Sequence, residues 1–365
     1  MSTIVRNTGT DKVKIEDIIK AIKPVDAGYY AKAQARLDNL TKPKGSLGRL
    51  EEIAARIVAI SGNLKPSIKR KVIFTMAGDH GVCEEGVSAY PQEVTPQMVY
   101  NFLKGGAGIN VLARHVGAEV IVVDMGVKEK VSAAGAKNFK DKKINFGTNN
   151  FAKGQAMSIE EVRKSLLGGI EVFEEAHSER AIDIAGVGDM GIGNTTSSSA
   201  IVAAITGEDV ALVTGRGTGI DDASYLHKIE VIRKALSLHN PDPKDPIDVL
   251  SKVGGFEIAG IAGVILAAAS KRIPVVVDGF IASCGALIAF ELCNDVKDYL
   301  FFAHQSVEAG QLAILRRINQ RPLLNLDMRL GEGTGAALAI GIVEAAVKIL
   351  NEMATFSEAD VSEES

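Results

Sequence analysis

The sequence predicts an α/β fold, in which a mainly parallel β-sheet is covered by helices on both faces. From Lys71 onward, short runs rich in valine and isoleucine alternate with longer segments of helical periodicity. Strands of this composition that alternate with helices are typical of parallel sheets buried on both faces. The length of 365 residues also allows one large domain with a smaller one, or two ordinary domains.

The N-terminal part, residues 15–65, is predicted to be helical. Apolar residues near its end recur at the i, i+3, i+4, i+7 spacing of one helix face; they are Leu50, Ile53, Ala54, Ile57 and Ile60. The preceding segment 40–48 contains a proline and two glycines, which favour a turn. On physical grounds alone, this segment is a connector.

Six strands and the helices between them are predicted after residue 70. The strand-like runs are residues 72–76, 119–123, 181–185, 210–213, 274–277 and 299–302. The helical segments are residues 96–116, 159–176, 195–205, 225–238, 256–269, 306–318 and 336–350. Parallel sheets bind ligands beyond the carboxyl ends of their strands, so the irregular loops at those ends are the candidate sites.

The central loop, within residues 181–199, is predicted to bind an anion. A short apolar run, four glycines and a polar helix start follow one another there. Glycines let the backbone approach a ligand closely, and the unpaired N–H groups of a helix N-terminus attract phosphate. The polar side chains of residues 194–197 would add donors. The alternative is an ordinary strand-to-helix turn with a polar N-cap.

Two loops to either side extend this candidate site. Residues 77–97 form a long polar loop whose one tyrosine suits the wall of an aromatic site, and its Asp79–His80 pair is predicted to bond to backbone. Residues 214–222 form a second glycine-rich loop, ahead of a helix that carries Lys228. Two such loops suit the two ends of a phosphorylated sugar. Their acidic pair at 221–222 is better explained as a helix N-terminus than as a magnesium site.

Two carboxylates follow later strands. Asp278, at a strand end, suits either a ribose hydroxyl or the N-cap of the next helix, and the sequence leaves both open. Glu332 stands between Gly331 and Gly333. Glycines on both sides let a carboxylate project into a pocket, the placement that a general base requires, whereas the alternative is a turn with an exposed acid. The irregular residues 132–158 receive no role.

Composition narrows the function classes. With 46% hydrophobic and 24% charged residues the chain resembles an ordinary soluble protein, and its net charge of −4 argues against a nucleic-acid surface. The three cysteines, at 83, 284 and 293, are widely spaced, which predicts reduced thiols rather than a metal site or disulfides. Neither a signal-peptide core nor a run of about 18 apolar residues occurs, so we expect a cytoplasmic protein outside the membrane.

Two other function classes fit parts of the pattern. Glycines 186, 188 and 191 match the dinucleotide fingerprint, with Glu208 about twenty residues on, so an NAD-dependent oxidoreductase is the rival enzyme. The mid-chain position and the hydroxyl-rich helix start favour a terminal phosphate instead. A non-catalytic subunit that retains a nucleotide-shaped cavity is the second alternative. A P-loop kinase is disfavoured because Gly-Lys-Ser/Thr follows none of the glycine loops.

The motifs taken together resemble the nicotinate-nucleotide:dimethylbenzimidazole phosphoribosyltransferase family. The resemblance runs from about residue 35 to 350 and rests on segments 40–51, 77–81, 188–196, 215–219, 277–280 and 329–335. It implies a Rossmann-like domain with a six-stranded, mostly parallel sheet, and a small helical domain made from both chain ends. The implied division is residues 1–65 and 331–353 for the small domain and residues 66–330 for the large one. Separately, the acidic composition of residues 354–365 predicts a disordered tail.

The resemblance also implies an activity and roles for single residues. Phosphoribose moves from nicotinate mononucleotide to a lower-ligand base for cobamide synthesis, without a metal or other cofactor, in a homodimer or a dimer with a paralogue. Glu332 matches the general base, and Tyr90 and Gln97 match the wall against which the acceptor base lies. The groups that match the phosphate and ribose site are Gly191, Ile192, Gly193, Asn194, Lys228 and Ser306. Our own interpretation of the loops adds Thr195 and Asp278 to this site.

One residue departs from the family pattern. Asp189 stands where the family usually has glutamate, close to the acceptor, so the choice of acceptor base depends most on this position. A phenolic acceptor, used together with a paralogous partner subunit, is the alternative that this departure keeps open.

Overall fold

A six-stranded sheet forms the centre of the computed structural model, which describes residues 14–133 and 135–362. The strand order is β3-β2-β1-β4-β5-β6 and every recorded pairing is parallel, which is the order of the Rossmann fold. The strands are β1 Lys71–Gly78, β2 Glu119–Gly126, β3 Phe139–Asp141, β4 Ile184–Met190, β5 Val275–Val277 and β6 Leu300–Phe302. The predicted α/β class and its parallel sheet are confirmed.

Fourteen helices surround this sheet within the described ranges. Those before β4 are α1 Ile15–Ala21, α2 Ala27–Asp38, α3 Arg49–Ser61, α4 Val94–Lys104, α5 Gly108–Val116 and α6 Ile159–Glu179. Those after it are α7 Asn194–Thr206, α8 Val210–Val213, α9 Asp222–His239, α10 Pro246–Val253, α11 Phe256–Ser270, α12 Phe280–Leu292, α13 Gly310–Ile318 and α14 Thr334–Glu352. The almost wholly apolar α11 is buried between α6, α12 and the sheet.

Two strand assignments needed correction. Residues 210–213, predicted as a strand, form the short helix α8, because the Asp209 side chain accepts from the Ala211 N–H and caps a helical turn. Four apolar residues carry too little periodicity to separate the two structures. The sixth strand is instead β3, at the sheet edge, where it pairs with residues 122–124. Its Phe-Lys-Asp sequence lies in the segment that received no role, and it carries no strand signal.

Glycines explain two further differences. The predicted helix 96–116 is divided into α4 and α5 because Gly105 has a φ of +78°, which ends α4 in a left-handed turn. The central strand β4 begins three residues later than predicted and continues to Met190 through two glycines. Its tight packing at Gly188, described below, accounts for glycine in the middle of a buried strand.

The two ends of the chain meet beside α14. Helices α2 and α3 pack together and against α14, as the expected small helical domain requires, although the division at residues 65, 330 and 353 stays a prediction. The segment expected to be disordered begins instead with an ordered contact. Thr355 pairs with Leu40 in an antiparallel bridge, and the Thr41 N–H donates to the Ala354 carbonyl. Residues 1–13 and 363–365 of the predicted terminal segments lie outside the described residues.

By length and composition, α14 is the single described helix that could cross a membrane. It is instead a helix of the protein core, since it packs against α3, α5 and the sheet.

Candidate active site

A cavity of about 480 Å³ opens at the carboxyl ends of the strands. Its walls come from the loops after β1, β4 and β6, from the start of α12, from the second glycine-rich loop and from the segment before α14. Strand order reverses between β1 and β4, and ligands bind at this point in open α/β sheets. The predicted residues that line the cavity are Tyr90, Asp189, Gly191, Ile192, Gly193, Asn194, Thr195, Ser306 and Glu332.

Three predicted residues do not line the cavity. Gln97 is exposed on α4 and stays unsupported as part of the acceptor wall. Lys228 and Asp278 are completely buried behind the cavity lining. Both act on the site through their neighbours, as described below.

The central glycine loop has the geometry of an anion site. Gly193 has a φ of +94° and directs the chain into α7, whose first residue is Asn194. Within the described residues, the N–H groups of Gly193 and Thr195 have no recorded acceptor. A helix N-terminus with free N–H groups favours a phosphate through hydrogen bonds and through the helix dipole.

Lys228 supplies the positive charge beside this loop. Its Nζ donates to Thr195 Oγ1 at 2.8 Å and to the Gly215 carbonyl at 3.3 Å. Burial lowers the pKa of Lys228 to about 8, and the charge of Glu308 opposes that shift. The ammonium therefore reaches the cavity through the Thr195 side chain, which lines it.

Glu332 lies at another wall of the cavity, on a strained backbone. Its φ is +64°, and Gly331 and Gly333 on either side also have positive φ, so three successive residues are left-handed. The Glu332 N–H donates to the Asp189 carbonyl at 3.1 Å, and Thr75 Oγ1 donates to the Glu332 carbonyl at 2.9 Å. These bonds fix the peptide groups on both sides of the Glu332 Cα atom.

The glutamate side chain is held as firmly as its backbone. It is only 5% exposed, and its Oε2 accepts from the Ile109 N–H at the start of α5, at 3.0 Å. Burial raises the pKa of Glu332 and the charge of Asp278 adds to this, while the N–H groups of Ile109 and Gly108 oppose it. A rigid carboxylate with a raised pKa is suited to accept a proton.

The close approach of two backbones explains the glycine spacing that resembles a dinucleotide fingerprint. A Cβ atom on Gly188 would lie 2.2 Å from the Gly333 nitrogen, and one on Gly191 would lie 2.1 Å from the Gly78 carbonyl oxygen. Glycine at 188 therefore makes room for the Glu332 loop rather than for a pyrophosphate. This packing removes the main argument for an oxidoreductase.

Asp278 neither faces a ribose site nor caps the helix that follows it, the two roles that the sequence left open. Its Oδ2 accepts from the Gly333 N–H at 2.9 Å, and its Oδ1 accepts from the N–H groups of Gly335 and Ala336 at 2.7 and 3.2 Å. The carboxylate therefore caps α14, far along the chain, rather than the next helix. With both oxygens bonded and no exposure, it offers no contact to a ribose hydroxyl in this structure.

Asp189 is a buried acid with one free oxygen. Its Oδ2 accepts from the Asn194 side chain at 2.9 Å, whereas Oδ1 has no partner among the described residues. Burial raises the pKa of Asp189 well above its ordinary value, and the nearby carboxylates Asp278 and Glu257 add to the shift. Asp189 itself lines the cavity.

His304 and Glu308, which no sequence motif identified, line the cavity after β6. His304 Nε2 lies 3.6 Å from Asp278 Oδ1; burial alone would lower its pKa, but the interaction with Asp278 outweighs burial and raises it. Glu308 accepts from the Gly217 N–H at 2.9 Å. Glu308 lies within the predicted helix 306–318, and His304 lies between that helix and the predicted strand 299–302, so only their position after a strand could have identified them. Across residues 14–133 and 135–362, no group of three or more acidic, histidine or cysteine side chains could hold a metal.

Comparisons with known proteins agree along nearly the whole chain. Residues 22–361 match the profile of a family described as phosphoribosyltransferase. A nicotinate-nucleotide–dimethylbenzimidazole phosphoribosyltransferase from Geobacter metallireducens is 60% identical over 347 residues, 95% of this chain and 98% of that protein. One from a Roseiflexus species is 54% identical over 348 residues, with 95% and 98% coverage.

A solved structure gives the same result for the fold. The crystal structure of CobT from Thermus thermophilus matches with a TM-score of 0.88 at 43% sequence identity, and the match covers 92% of this chain and 100% of that one. The family profile and the relatives both span almost the entire chain, and the chain therefore belongs to the nicotinate-nucleotide–dimethylbenzimidazole phosphoribosyltransferase family, as its motifs predicted.

Proposed function

We propose that this enzyme transfers phosphoribose from nicotinate mononucleotide to a ring nitrogen of dimethylbenzimidazole, which yields an α-riboside phosphate and nicotinate for cobamide synthesis. The observation that carries the proposal is the buried, rigidly held Glu332 in the same cavity as an anion-binding helix start. Such a cavity can hold a phosphorylated sugar while a base removes a proton from the incoming group. The names of the relatives support the same reaction.

The proposed mechanism is an in-line displacement at the anomeric carbon. Nicotinate is joined to the ribose through a cationic pyridinium nitrogen, so it leaves as a neutral ring without needing a proton. The acceptor nitrogen attacks from the opposite face and inverts the configuration. The nitrogen that attacks is the ring nitrogen with a free lone pair and no hydrogen. As the new bond forms, the N–H of the other ring nitrogen becomes acidic, and Glu332 takes that proton. The glycine loop, Thr195 and Lys228 hold the phosphate and thereby place the ribose at reacting distance. The mechanism calls for no metal or other cofactor.

The acceptor range is proposed to be broad. Asp189 is one methylene shorter than the glutamate of the family pattern, which withdraws its carboxyl by roughly 1.5 Å. The shorter side chain would leave space for a water or for a ring of different shape. Tyr90, which is 55% exposed, lines the cavity as an aromatic wall. We therefore expect dimethylbenzimidazole to be used, with weak discrimination against smaller or phenolic acceptors.

Nicotinate release tests both the reaction and the acceptor range. We expect the purified chain to release nicotinate from nicotinate mononucleotide when dimethylbenzimidazole is present, and failure to do so would contradict the proposed reaction. Adenine, phenol and p-cresol should then be compared in the same assay for the natural chain and for Asp189→Glu. Loss of phenol use in Asp189→Glu would support the broad range. A strict preference for dimethylbenzimidazole that is unchanged in this variant would refute it.

The assembly is proposed to be a dimer in the cytoplasm, with a second copy or a paralogue. Leu330, which lines the cavity, and Val307, which lies between the lining residues Ser306 and Glu308, are apolar and more than half exposed in the single chain, as an interface would require. Sedimentation of the purified chain tests this: a dimer mass supports the homodimer, whereas a monomer that dimerises only with a co-expressed paralogue supports the mixed pair.

A further inference from the structure

Glu308 is a cavity-lining carboxylate that the proposed mechanism does not use. It follows β6 and is only 6% exposed. Its Oε1 accepts from the Gly217 N–H at 2.9 Å. A Cβ atom on Gly215 would lie 2.0 Å from Oε2, so the second glycine-rich loop leaves room for this carboxylate to enter. The loop and Glu308 therefore form one built structure at the cavity wall.

The second carboxylate oxygen of Glu308 lacks a partner. Oε2 is buried, and among the described residues no group donates a hydrogen bond to it. A buried carboxylate oxygen without a donor is costly, and such unsatisfied groups in native structures call for an explanation. A donor from a bound ligand would satisfy it.

The position of Glu308 indicates which part of the ligand it faces. Gly217, whose N–H Glu308 binds, lies against the phosphate end of the site: a Cβ atom there would be 2.7 Å from Thr195 Oγ1 and 3.4 Å from Lys228 Nζ. A single residue, Gly217, therefore separates Glu308 from Thr195 and Lys228, the groups assigned to the phosphate. Its own negative charge excludes it as a phosphate ligand, because like charges repel.

The chemistry of the donor nucleotide limits which of its groups could donate a hydrogen bond to Glu308. Above the second phosphate pKa of about 6, the phosphate of nicotinate mononucleotide can only accept hydrogen bonds. The nicotinate carboxylate also only accepts, and the pyridinium nitrogen carries no hydrogen. The two ribose hydroxyls are therefore the only donors on this molecule, while the N–H of the acceptor base is assigned to Glu332.

We propose that Glu308 binds a ribose hydroxyl of the donor nucleotide and makes the enzyme selective for ribose over deoxyribose. This inference rests on the proposed function. A carboxylate that accepts from a ribose hydroxyl is a known way to recognise ribonucleotides. Glu308 is a specificity-determining residue in this proposal, whereas proton removal stays with Glu332.

Calorimetric binding tests the contact directly. Nicotinate mononucleotide and its 2′-deoxy and 3′-deoxy analogues are titrated into the natural chain, Glu308→Gln and Glu308→Ala. In the natural chain, loss of the hydroxyl that contacts Glu308 should weaken binding roughly 10- to 100-fold, as for hydrogen bonds to charged groups. In Glu308→Ala the same loss should weaken binding less than about threefold. Glu308→Gln keeps an acceptor for the Gly217 N–H, and the exposed Glu160→Gln on α6 is the matched control.

Two results would overturn the proposal. Equal penalties for the missing hydroxyl in the natural chain and in Glu308→Ala would mean that no contact exists. If Glu308→Ala weakens the binding of nicotinate mononucleotide but not the binding of its dephosphorylated riboside, Glu308 acts through Lys228 and the phosphate instead. Binding is measured without an acceptor base, so it is independent of the nicotinate-release assay. If turnover is normal but the penalty for the missing hydroxyl does not depend on Glu308, the role of Glu308 is refuted and the proposed function is not.

Discussion

At the scale of single residues, Glu332 combines backbone strain with an unusual environment. A glutamate at a φ of +64° is uncommon, and such residues persist where the surrounding structure holds them and often mark functional sites. Here the carbonyl of Asp189, the Thr75 hydroxyl and the N–H of Gly333 provide the holding contacts. The side chain therefore meets its ligand with little freedom to lose, as a preorganised base requires.

We predict that Glu332→Gln lowers turnover by roughly 10²- to 10⁴-fold, the usual contribution of a general base. Glutamine has nearly the same shape but cannot take the proton, so the affinity for nicotinate mononucleotide should change little. The measurements are nicotinate release and calorimetric binding. A variant with near-normal turnover would remove Glu332 from the mechanism.

The pH dependence of turnover gives a second test at this residue. Since burial and Asp278 raise the pKa of Glu332 above its ordinary value of 4.5, the base becomes protonated at a higher pH than an exposed glutamate would. With saturating nicotinate mononucleotide, turnover should therefore fall as pH decreases through this raised pKa. Rates that are flat down to the ordinary pKa would show that Glu332 is not the titrating group.

Lys228 carries a prediction about phosphate binding. We predict that Lys228→Ala weakens the binding of nicotinate mononucleotide by about 1.5 to 3 kcal/mol. The variant removes the positive charge behind Thr195 and the donor to its hydroxyl, and hydrogen bonds that involve a charged phosphate are of this scale. Its pKa of about 8 adds a pH effect: the ammonium loses its proton as pH rises through 8, so affinity should decline there in the natural chain and not in the variant. Titration calorimetry with the dephosphorylated riboside is the comparison, and Lys164→Ala on the surface of α6 is the control. Equal losses for both ligands would show that Lys228 does not act on the phosphate.

At the scale of elements, the sequence pattern predicted those helices, strands and loops whose formation depends on residues close together in the chain. The strand, glycine loop and helix from β4 to α7 were recognisable because an apolar run, glycines and hydroxyl residues occur in that order. The helix at residues 210–213 was not recognisable, because four apolar residues fit either a helix or a strand. Strand β3 was not recognisable either, because the sequence Phe-Lys-Asp is too short to show the alternation of a strand. Pairing with β2, a contact remote in sequence, is what makes β3 a strand.

The start of α14 couples two elements that sequence reasoning treated separately. Asp278 after β5 accepts from three N–H groups of this helix start, one of them in the peptide that follows Glu332. Asp278 is thus a positioning residue for the base, and its charge also contributes to the raised pKa of Glu332. Neither role is visible in the local sequence, because the partners are more than 50 positions apart.

We predict that Asp278→Asn lowers kcat by about 10- to 100-fold and leaves the dissociation constant of nicotinate mononucleotide within about threefold, because it loosens the Glu332 loop without touching the phosphate site. Removal of the negative charge lowers the pKa of Glu332, so the acid limb of the kcat profile should move to lower pH. The measurements are kcat against pH and calorimetric binding.

The pH profile separates positioning from a general loss of folding. A variant that is merely less stable would lose active protein at every pH without moving the limb, and its unfolding midpoint would account for the loss. An unshifted limb in a folded Asp278→Asn protein would contradict the influence of Asp278 on Glu332. If Asp278→Asn instead lowered the affinity for nicotinate mononucleotide as much as kcat, the result would favour the direct contact between Asp278 and the ribose that the sequence suggested.

At the scale of the whole molecule, the site is assembled from segments far apart in the chain. Glycine-flanked Glu332 and the phosphate loop could be predicted because each carries its signal within a few residues. The contributions of His304 and Glu308 could not, since they depend on the parallel arrangement of β5 and β6 beside β4. Sheet topology thus brings together acids and histidines that carry no motif of their own.

The C-terminal segment pairs with the segment that precedes α3. Thr355 pairs with Leu40, and this bridge consists of two backbone hydrogen bonds: Thr41 N–H to the Ala354 carbonyl, and Phe356 N–H to the Asn39 carbonyl. Thr355 is buried, whereas residues 357–362 are exposed. Acidic composition alone predicted disorder for all of residues 354–365, because composition does not register a pairing with a segment remote in the chain.

We predict that a chain ending at Met353 unfolds with a free energy lower by about 1 to 3 kcal/mol, the combined contribution of two backbone hydrogen bonds. A chain ending at Val361 keeps both bonds and is the matched control, so its stability should equal that of the full chain. Urea unfolding followed by circular dichroism measures the difference. Nicotinate release should be unchanged in both truncations at a temperature where each is folded, because the tail does not line the cavity. Equal stability of the two truncated chains would show that the bridge contributes nothing, and the tail would then act as the disordered segment that its composition predicts.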